Sequence, residues 1–303
     1  MQITLIHHPG AGGADRPDAQ ALRGLIENAG HDIFYQSADQ ADWAAALRQP
    51  TDLVVVAGGD GTVARVARHL IGTGLTFTAL PLGTANNIAR SLGLLARPIE
   101  AHPGGWATAR RLRLDVGAAA GPWGEDHFIE GLGLGLFAWM MPKADASPAL
   151  ARISDTDEAL AYAQKMLLRL LEEHHPERIN ATLDGQDISG DYLMFEALNL
   201  PFIGPSLFLA PDAQAGDGLL DVVLVGEGER TTLLDALTEW REGRATPARL
   251  PTRRGAHLRI EPTANNVHID DKIWRAGDSE RPSRADIEVK VIPGALECLV
   301  PDA

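Results

Sequence analysis

The sequence has a single cysteine, a shortage of basic residues and no long apolar run. Cys298 cannot form an intrachain disulfide because it has no partner, and a reducing cytoplasm is the compartment that such cysteine usage favours. Lysine and arginine number 27 against 41 aspartates and glutamates, which gives a formal charge of −14. Nucleic-acid binding is therefore not expected, since it needs a basic footprint.

The sequence also predicts neither a membrane-spanning helix nor a secretory signal. The longest apolar run, at 131–142, is rich in glycine and has about a dozen residues, whereas a membrane-spanning helix needs about 20. The opening residues, MQITLI, form a predicted strand and lack the basic start and long apolar core of a signal peptide. We therefore expect a cytoplasmic protein whose contact with a membrane is peripheral and transient.

The chain has 303 residues of ordinary globular composition, 45% hydrophobic and 22% charged. One hydrophobic core seldom serves so long a chain, so we expect two domains. Strands and helices alternate over residues 1–113, which predicts an α/β domain with a parallel sheet, and 293–303 is a candidate completion of that domain. Over 114–292 short β-like segments dominate, which predicts an antiparallel sandwich.

The strongest local signal is the segment LVVVAGGDGT at 53–62. Its apolar half predicts a buried strand, and the helix that follows opens at Thr62. Between them lie Gly58, Gly59, Asp60 and Gly61. A strand that runs through glycines into a helix presents backbone N–H groups at the positive end of the helix dipole, which suits phosphate. The alternative is an ordinary turn with a solvated aspartate.

Two more glycine-rich turns follow predicted strands. A loop with Gly10, Gly12 and Gly13 comes after the first strand and is a second candidate phosphate-binding loop. The strand at 76–81 leads into a turn that contains Gly83, Thr84 and Asn86, where Thr84 is a candidate helix cap. Because parallel strands end at one edge of a sheet, we expect this turn on the same edge as Asp60. A capped helix with polar residues on its solvent side is the alternative.

Three motifs together resemble the diacylglycerol kinase catalytic-domain family, which includes bacterial lipid kinases and sphingosine and ceramide kinases. They are GGDGT at 58–62, PLGTANNIAR at 81–90 and DGLLD at 217–221. The first motif alone is shared with NAD kinases and phosphofructokinases, whereas the other two, in this order, are typical of lipid kinases. The resemblance implies an NAD kinase- or diacylglycerol kinase-like α/β domain followed by a β-rich sandwich that binds the lipid.

The resemblance also implies an activity and its site. The γ-phosphoryl group of ATP would pass, with Mg²⁺, to a diacylglycerol-like lipid that has a free hydroxyl and is presented at a membrane surface. The residues that would bind ATP are Gly10, Gly12, Gly13, Gly58, Gly59, Gly61, Thr62, Gly83, Thr84 and Asn86. Asp60 would position magnesium or act on the acceptor hydroxyl, and Asp217 matches an acid that helps to hold a structural metal in some members. A homodimer is compatible with the sequence.

The sequence departs from this family near its C-terminus. The family's Asp-Gly-Glu triplet, whose glutamate is its expected catalytic base, reads Asp270-Asp271-Lys272 here. A protonated lysine cannot accept a proton, so Asp271 is the candidate catalytic base. Alternatively, 270–271 is only the two-residue turn of a β-hairpin.

The departure leaves more than one class of function open. The leading hypothesis is an ATP-dependent lipid kinase. The second is a nucleotide-binding protein of the same fold whose kinase activity is lost or redirected and which acts as a regulator. A kinase for a soluble acceptor such as NAD is the third.

Overall fold

A computed structural model describes residues 1–13, 16–244, 246–261, 266–275 and 286–301. The chain forms two compact units. The first consists of residues 1–114, 154–157 and 294–303, and the second of 115–153 and 158–293. Residues 302 and 303, which belong to the expected N-terminal domain, lie outside the described ranges.

The first unit is built on a parallel sheet. Its elements are β1 (Gln2–His7), α1 (Ala19–Asn28), β2 (Asp32–Ser37), β3 (Leu53–Gly58), α2 (Asp60–Leu70), β4 (Thr76–Pro81), α3 (Asn87–Ser91) and α4 (His102–Gly105), with short 3₁₀ helices at Trp43–Arg48, Leu94–Ala96 and Ile99–Ala101. The strands β2, β1, β3 and β4 lie side by side in that order, and each pair is parallel. The apolar strands β3 and β4 are buried along their whole length.

The second unit is rich in short strands. Its elements are β5 (Arg110–Gly121), β6 (Gly124–Phe128), β7 (Gly131–Gly135), α5 (Leu136–Asp145), α6 (Thr156–Glu173), β8 (Glu177–Ile179), β9 (Ala181–Leu183), β10 (Gln186–Asp187), β11 (Gly190–Tyr192), β12 (Met194–Leu198), β13 (Phe202–Ile203), β14 (Leu207–Phe208), β15 (Leu220–Val225), α7 (Arg230–Arg241), β16 (Thr252–Gly255), β17 (His257–Ile260), β18 (Val267–Ile269), β19 (Lys272–Trp274) and β20 (Ile287–Val300), with 3₁₀ helices at Leu150–Arg152 and Glu227–Glu229. The unit boundary falls within β5, α6 and β20.

Two antiparallel sheets of the second unit enclose one apolar core. One sheet has the order β16–β15–β12–β7–β18–β19. The other contains β10, β9, β17 and the start of β20, and β5 and β6 join it through β20. Alternate apolar residues from both sheets pack in one buried cluster, including Leu132, Phe195, Leu258 and Val289. The predicted fold class, a parallel α/β domain followed by an antiparallel β sandwich, is confirmed.

Helices cover the outer face of the six-stranded sheet. Buried residues of α5, α6 and α7 pack with residues of β12 and β15 in a second apolar cluster, which includes Met140, Leu167, Met194, Val223 and Leu237. In the part of the chain that the structure describes, none of the helices is both long and apolar enough to cross a bilayer.

The last strand completes the first unit. From Gly294 onward β20 belongs to that unit and runs parallel to β4, with Glu297 opposite Thr76. The Thr76 hydroxyl donates to Glu297 Oε1 at 2.6 Å, and the Thr78 hydroxyl donates to the Leu299 carbonyl at 2.9 Å. Side-chain hydrogen bonds therefore fix the register of the two strands.

The strand β7, with the sequence GLGLG, has the sandwich core on one face and a buried polar pair on the other. Its two leucines, Leu132 and Leu134, point into the sandwich core, so its glycines face the opposite side of the sheet. On that side the fully buried Glu196 and His268, from the strands on either side, both lie opposite Gly133. Their side chains meet in a hydrogen bond of 2.6 Å between Glu196 Oε2 and His268 Nε2. This buried polar pair fits beside residue 133 because glycine has no side chain.

Candidate functional site

The turn after β3 leads directly into a helix. β3 ends at Gly58, Gly59 is the helix N-cap, and α2 begins at Asp60 with no side-chain cap. The Gly59 carbonyl accepts hydrogen bonds from the N–H groups of Thr62 and Val63, both at 3.0 Å. A carboxylate in the first turn of a helix is stabilised by the helix dipole, and the same field favours a bound anion.

The turn after β4 is held by Asn86. This residue has a left-handed backbone, with φ 51°, and its side chain is buried. Its Oδ1 accepts from the Gly83 N–H at 2.8 Å, and its Nδ2 donates to the Gly83 carbonyl at 2.7 Å. The expectation that Thr84 caps the next helix is wrong, because α3 begins only at Asn87 and Thr84 is exposed.

These two turns touch through their glycines. A Cβ atom added to Gly83 would lie 2.4 Å from Gly59 Cα, and one added to Gly59 would lie 3.1 Å from Gly83 Cα. The loop after β1 joins them, because Gly12 has φ +79° and a Cβ there would lie 2.3 Å from the Leu82 carbonyl oxygen. Three glycine turns therefore meet backbone to backbone, and they form a surface that a phosphate chain can approach closely.

Asp60 ties the second turn to the first. Its Oδ1 accepts a hydrogen bond from the Ile88 N–H at 2.9 Å. Burial raises the pKa of Asp60, and the backbone N–H groups of Ile88, Asn87 and Asn86 oppose that shift because they stabilise the carboxylate. The result is a carboxylate fixed where the glycine turns meet.

The residues of this edge fit ATP and magnesium. The side-chain-free contact of Gly59 with Gly83 leaves backbone groups to face phosphate oxygens, and Asp60 offers the hard oxygen that Mg²⁺ prefers. Within the described ranges, no three histidine, cysteine or acidic side chains are grouped so that they could hold a metal ion alone.

The carboxyl ends of β1 and β2 carry two polar pairs that the sequence did not reveal. His7 Nδ1 lies 3.2 Å from the Tyr35 hydroxyl, and His8 Nε2 lies 3.2 Å from Asp39 Oδ1. Burial lowers the pKa of His7. The available signal was the parallel pairing of β1 with β2, which places the residues that follow both strands at one edge.

In the second unit, Asp270 and Asp271 form the two-residue turn between β18 and β19, where Ile269 is paired with Lys272. Asp270 is buried, has φ 49° and accepts backbone hydrogen bonds of 2.8–3.2 Å from residues 129–131. Residues 270 and 271 are therefore the two-residue turn of a β-hairpin. Asp270 fastens the hairpin to the start of β7.

Asp271 and Lys272 lie on the exposed side of the same hairpin. Lys272 Nζ donates to Asp126 Oδ2 on β6 at 2.6 Å. The lysine is thus held in a surface ion pair, and the catalytic role of Asp271 stays a prediction.

Asp217, the candidate ligand of a structural metal, does not fit that role. Its Oδ1 accepts from the Leu219 N–H at 3.1 Å, and its Oδ2 accepts from the Arg254 guanidinium. The Arg254 Nε also lies 3.5 Å from Asp221 Oδ2. A guanidinium therefore occupies the carboxylate oxygens that a metal ion would need.

The importance of the contact between Gly59 and Gly83 for ATP binding can be tested by substitution. We expect Gly83→Ala to weaken ATP binding by roughly tenfold to a hundredfold, because overpacking of this kind costs about 1–3 kcal/mol. Isothermal titration with ATP and Mg²⁺ measures the change. Gly104→Ala is the matched control, since a Cβ there meets nothing within 4 Å. Equal ATP affinity of the two variants would show that the contact is not needed for ATP binding.

Both parts of the chain match known protein families. Residues 2–118 match the diacylglycerol kinase catalytic domain, and residues 143–300 match the YegS C-terminal NAD kinase beta sandwich-like domain. The diacylglycerol kinase of Mycobacterium tuberculosis (strain ATCC 25618 / H37Rv) is 28% identical over 265 residues, which cover 85% of this chain and 80% of that protein. The probable lipid kinase YegS-like of Stenotrophomonas maltophilia is 30% identical over 287 residues, with coverage of 89% and 85%.

Solved structures share the fold at lower identity. A diacylglycerol kinase from Bacillus anthracis str. Sterne superposes with a TM-score of 0.73 at 20% identity, over 99% of this chain and 96% of that one. Yeast NADH kinase, solved with NADH, gives a TM-score of 0.53 at 10% identity, over 100% and 84% of the two chains. At these identities the likeness shows the fold alone.

Proposed function

The chain belongs to the diacylglycerol kinase catalytic-domain family, with a YegS-type C-terminal domain, and on that premise we propose that it transfers the γ-phosphoryl group of ATP to the hydroxyl of a diacylglycerol-like lipid. One observation carries the nucleotide part of the proposal. The turns of Gly59 and Gly83 touch beside the fixed carboxylate of Asp60, and together they suit a phosphate chain and its magnesium ion.

The first unit binds and orients the nucleotide in this proposal. Backbone N–H groups of the glycine turns hold the phosphates, and Asn86 keeps its turn in the binding conformation. Mg²⁺ would neutralise the charge that develops on the phosphoryl oxygens. Asp60 would position that ion or the acceptor hydroxyl. Positioning and charge neutralisation are most of what phosphoryl transfer asks of a protein.

The second unit is the proposed lipid-binding domain. Partly buried apolar side chains pack against the cluster that covers the six-stranded sheet, and they include Trp139, Met141 and Met166 of the helices and Phe208 of β14. Such a surface can accept acyl chains without burying polar groups. We propose that the protein acts in the cytoplasm and reaches its lipid by transient contact with a membrane surface.

Asp271 is the proposed catalytic base. It is the carboxylate beside Lys272, and it is exposed in the hairpin turn. A base within hydrogen-bond reach of the lipid hydroxyl would take its proton during transfer. Asp270 supports this arrangement structurally, since its carboxylate anchors the turn.

Substitution separates the roles of the two aspartates. We expect Asp271→Asn to lower the transfer rate by about 10²-fold, while the free energy of unfolding changes by less than about 0.5 kcal/mol. Asp270→Asn should instead lower the free energy of unfolding by about 1–3 kcal/mol, because it weakens buried hydrogen bonds to residues 129–131. Transfer rates and thermal unfolding of both variants test this. A wild-type rate for Asp271→Asn would remove it as the base.

The decisive experiment is transfer of labelled γ-phosphate from ATP to diacylglycerol in mixed micelles by the purified chain. Labelled lipid, absent with Asp60→Ala, is the expected result. ATP binding without transfer to any lipid would favour the second candidate, a nucleotide-binding regulator, for which the ion pair of Lys272 with Asp126 is the motivating observation. Phosphorylation of NAD in a parallel reaction would indicate a soluble acceptor.

A further inference from the structure

The loop that precedes β15 is organised by carboxylates. The Asp115 N–H donates to the Ala215 carbonyl at 2.7 Å, and Asp115 Oδ2 accepts from the Gly218 N–H at 2.6 Å. Asp217 accepts from the Leu219 N–H two residues further along the chain. Two acidic side chains therefore hold backbone groups of this loop, and one of them, Asp115, is almost fully buried. Such an arrangement needs a positive charge nearby.

Arg254, on the neighbouring strand, brings a positive charge to Asp217 and Asp221. It lies directly opposite Asp221 in the pairing of β15 with β16. Its guanidinium donates to Asp217 Oδ2, and its Nε lies 3.5 Å from Asp221 Oδ2. The Asp221 side chain is only 3% exposed, so its charge is poorly solvated.

Burial and neighbouring charges have opposing effects on the pKa of Asp221. Burial raises the pKa of Asp221, and the nearby carboxylates of Asp217 and Asp212 add to that effect. Arg254 opposes it through its charge and its hydrogen bond. A planar guanidinium can bind two carboxylates at once through different N–H groups, which a single lysine does less well.

We propose that Arg254 is a built-in cation that replaces the structural metal ion expected at Asp217. Its guanidinium bridges Asp217 and Asp221 and so holds the loop to β16. The stability of the second unit then does not depend on a divalent cation. This inference concerns folding and is independent of the proposed kinase activity.

The test is thermal unfolding of the full chain without nucleotide, in EDTA and in excess Ca²⁺. The wild-type Tm should be the same in both solutions. Arg254→Met should lower the Tm in EDTA by roughly 5 °C, because two acids lose their shared partner. Ca²⁺ should restore part of that loss, since the freed oxygens of Asp217 and Asp221 become available to it. Arg253→Met, an exposed neighbour on β16, is the matched control and should leave the Tm unchanged.

Two results of thermal unfolding would overturn the proposal. One is a wild-type Tm that rises with Ca²⁺ as much as the Tm of Arg254→Met does. The other is an Arg254→Met Tm equal to that of the wild type in EDTA. If Arg254→Met does not fold, calorimetric titration of the native wild-type chain with Ca²⁺ still tests the proposal. Binding that is lost in Asp217→Asn would show a metal site where the guanidinium is proposed to act.

Discussion

Replacing Asp60 with alanine is expected to lower the rate of phosphoryl transfer by roughly 10²–10⁴-fold. The carboxylate lies where the glycine turns meet, and it accepts the N–H of Ile88 at the start of α3. Its removal deletes the negative charge that would hold magnesium and also loosens the two turns from each other. Initial rates in mixed micelles at saturating ATP and Mg²⁺ measure the loss.

Two companion variants make this result interpretable. Asp60→Asn keeps a hydrogen-bond acceptor for Ile88 but no charge, so it should retain ATP binding and still lose transfer. Asp52→Ala removes an exposed aspartate just before the start of β3, the strand whose other end leads to Asp60, and should keep the wild-type rate. Transfer at the wild-type rate by Asp60→Ala would exclude this carboxylate from the reaction.

Replacing Gly133 with alanine is expected to lower the free energy of unfolding by about 3–5 kcal/mol. The new Cβ would lie 2.0 Å from Glu196 Oε2, so the carboxylate would have to leave its bond to His268. Two fully buried polar groups would then lose each other, and neither can reach water. Chemical denaturation of the full chain measures the change in the second unit's stability.

A double-mutant cycle separates the clash from a general intolerance of alanine. The same substitution in a Glu196→Ala background should cost much less, because the atom it collides with is gone. Gly24→Ala, inside α1, is the matched control, since a Cβ there meets nothing within 4 Å. Additive effects of the Gly133 and Glu196 changes would contradict the proposed cause.

Local patterns in the sequence were sufficient for the fold class and for the turns of the first unit. The apolar run of β3 and the glycines behind it predict a strand, a turn and a helix, because each of these is a short-range preference. The direct contact of Gly59 with Gly83 is different. It depends on how closely two strand ends approach, and no pattern along one chain segment reports that distance.

The polar features that were missed depend on register. Glu196 and His268 are 72 positions apart and meet only because both strands place them opposite Gly133. Likewise, the hairpin turn places two adjacent aspartates in different environments. Asp270 turns inward to residues 129–131, whereas Asp271 is exposed. A register shift of one residue would move each side chain of a strand to the other face of its sheet. A single sequence does not specify that register.

The late pairing of β20 with β4 has a consequence for biosynthesis. Thr78 and Leu299 are bonded across 221 positions of the chain, so a ribosome needs roughly 10–40 s to deliver the second after the first. During that interval β4 is an unpaired, apolar edge of the nascent sheet, a kind of surface that invites aggregation or chaperone binding. The first unit to emerge from the ribosome is therefore among the last parts of the molecule to close.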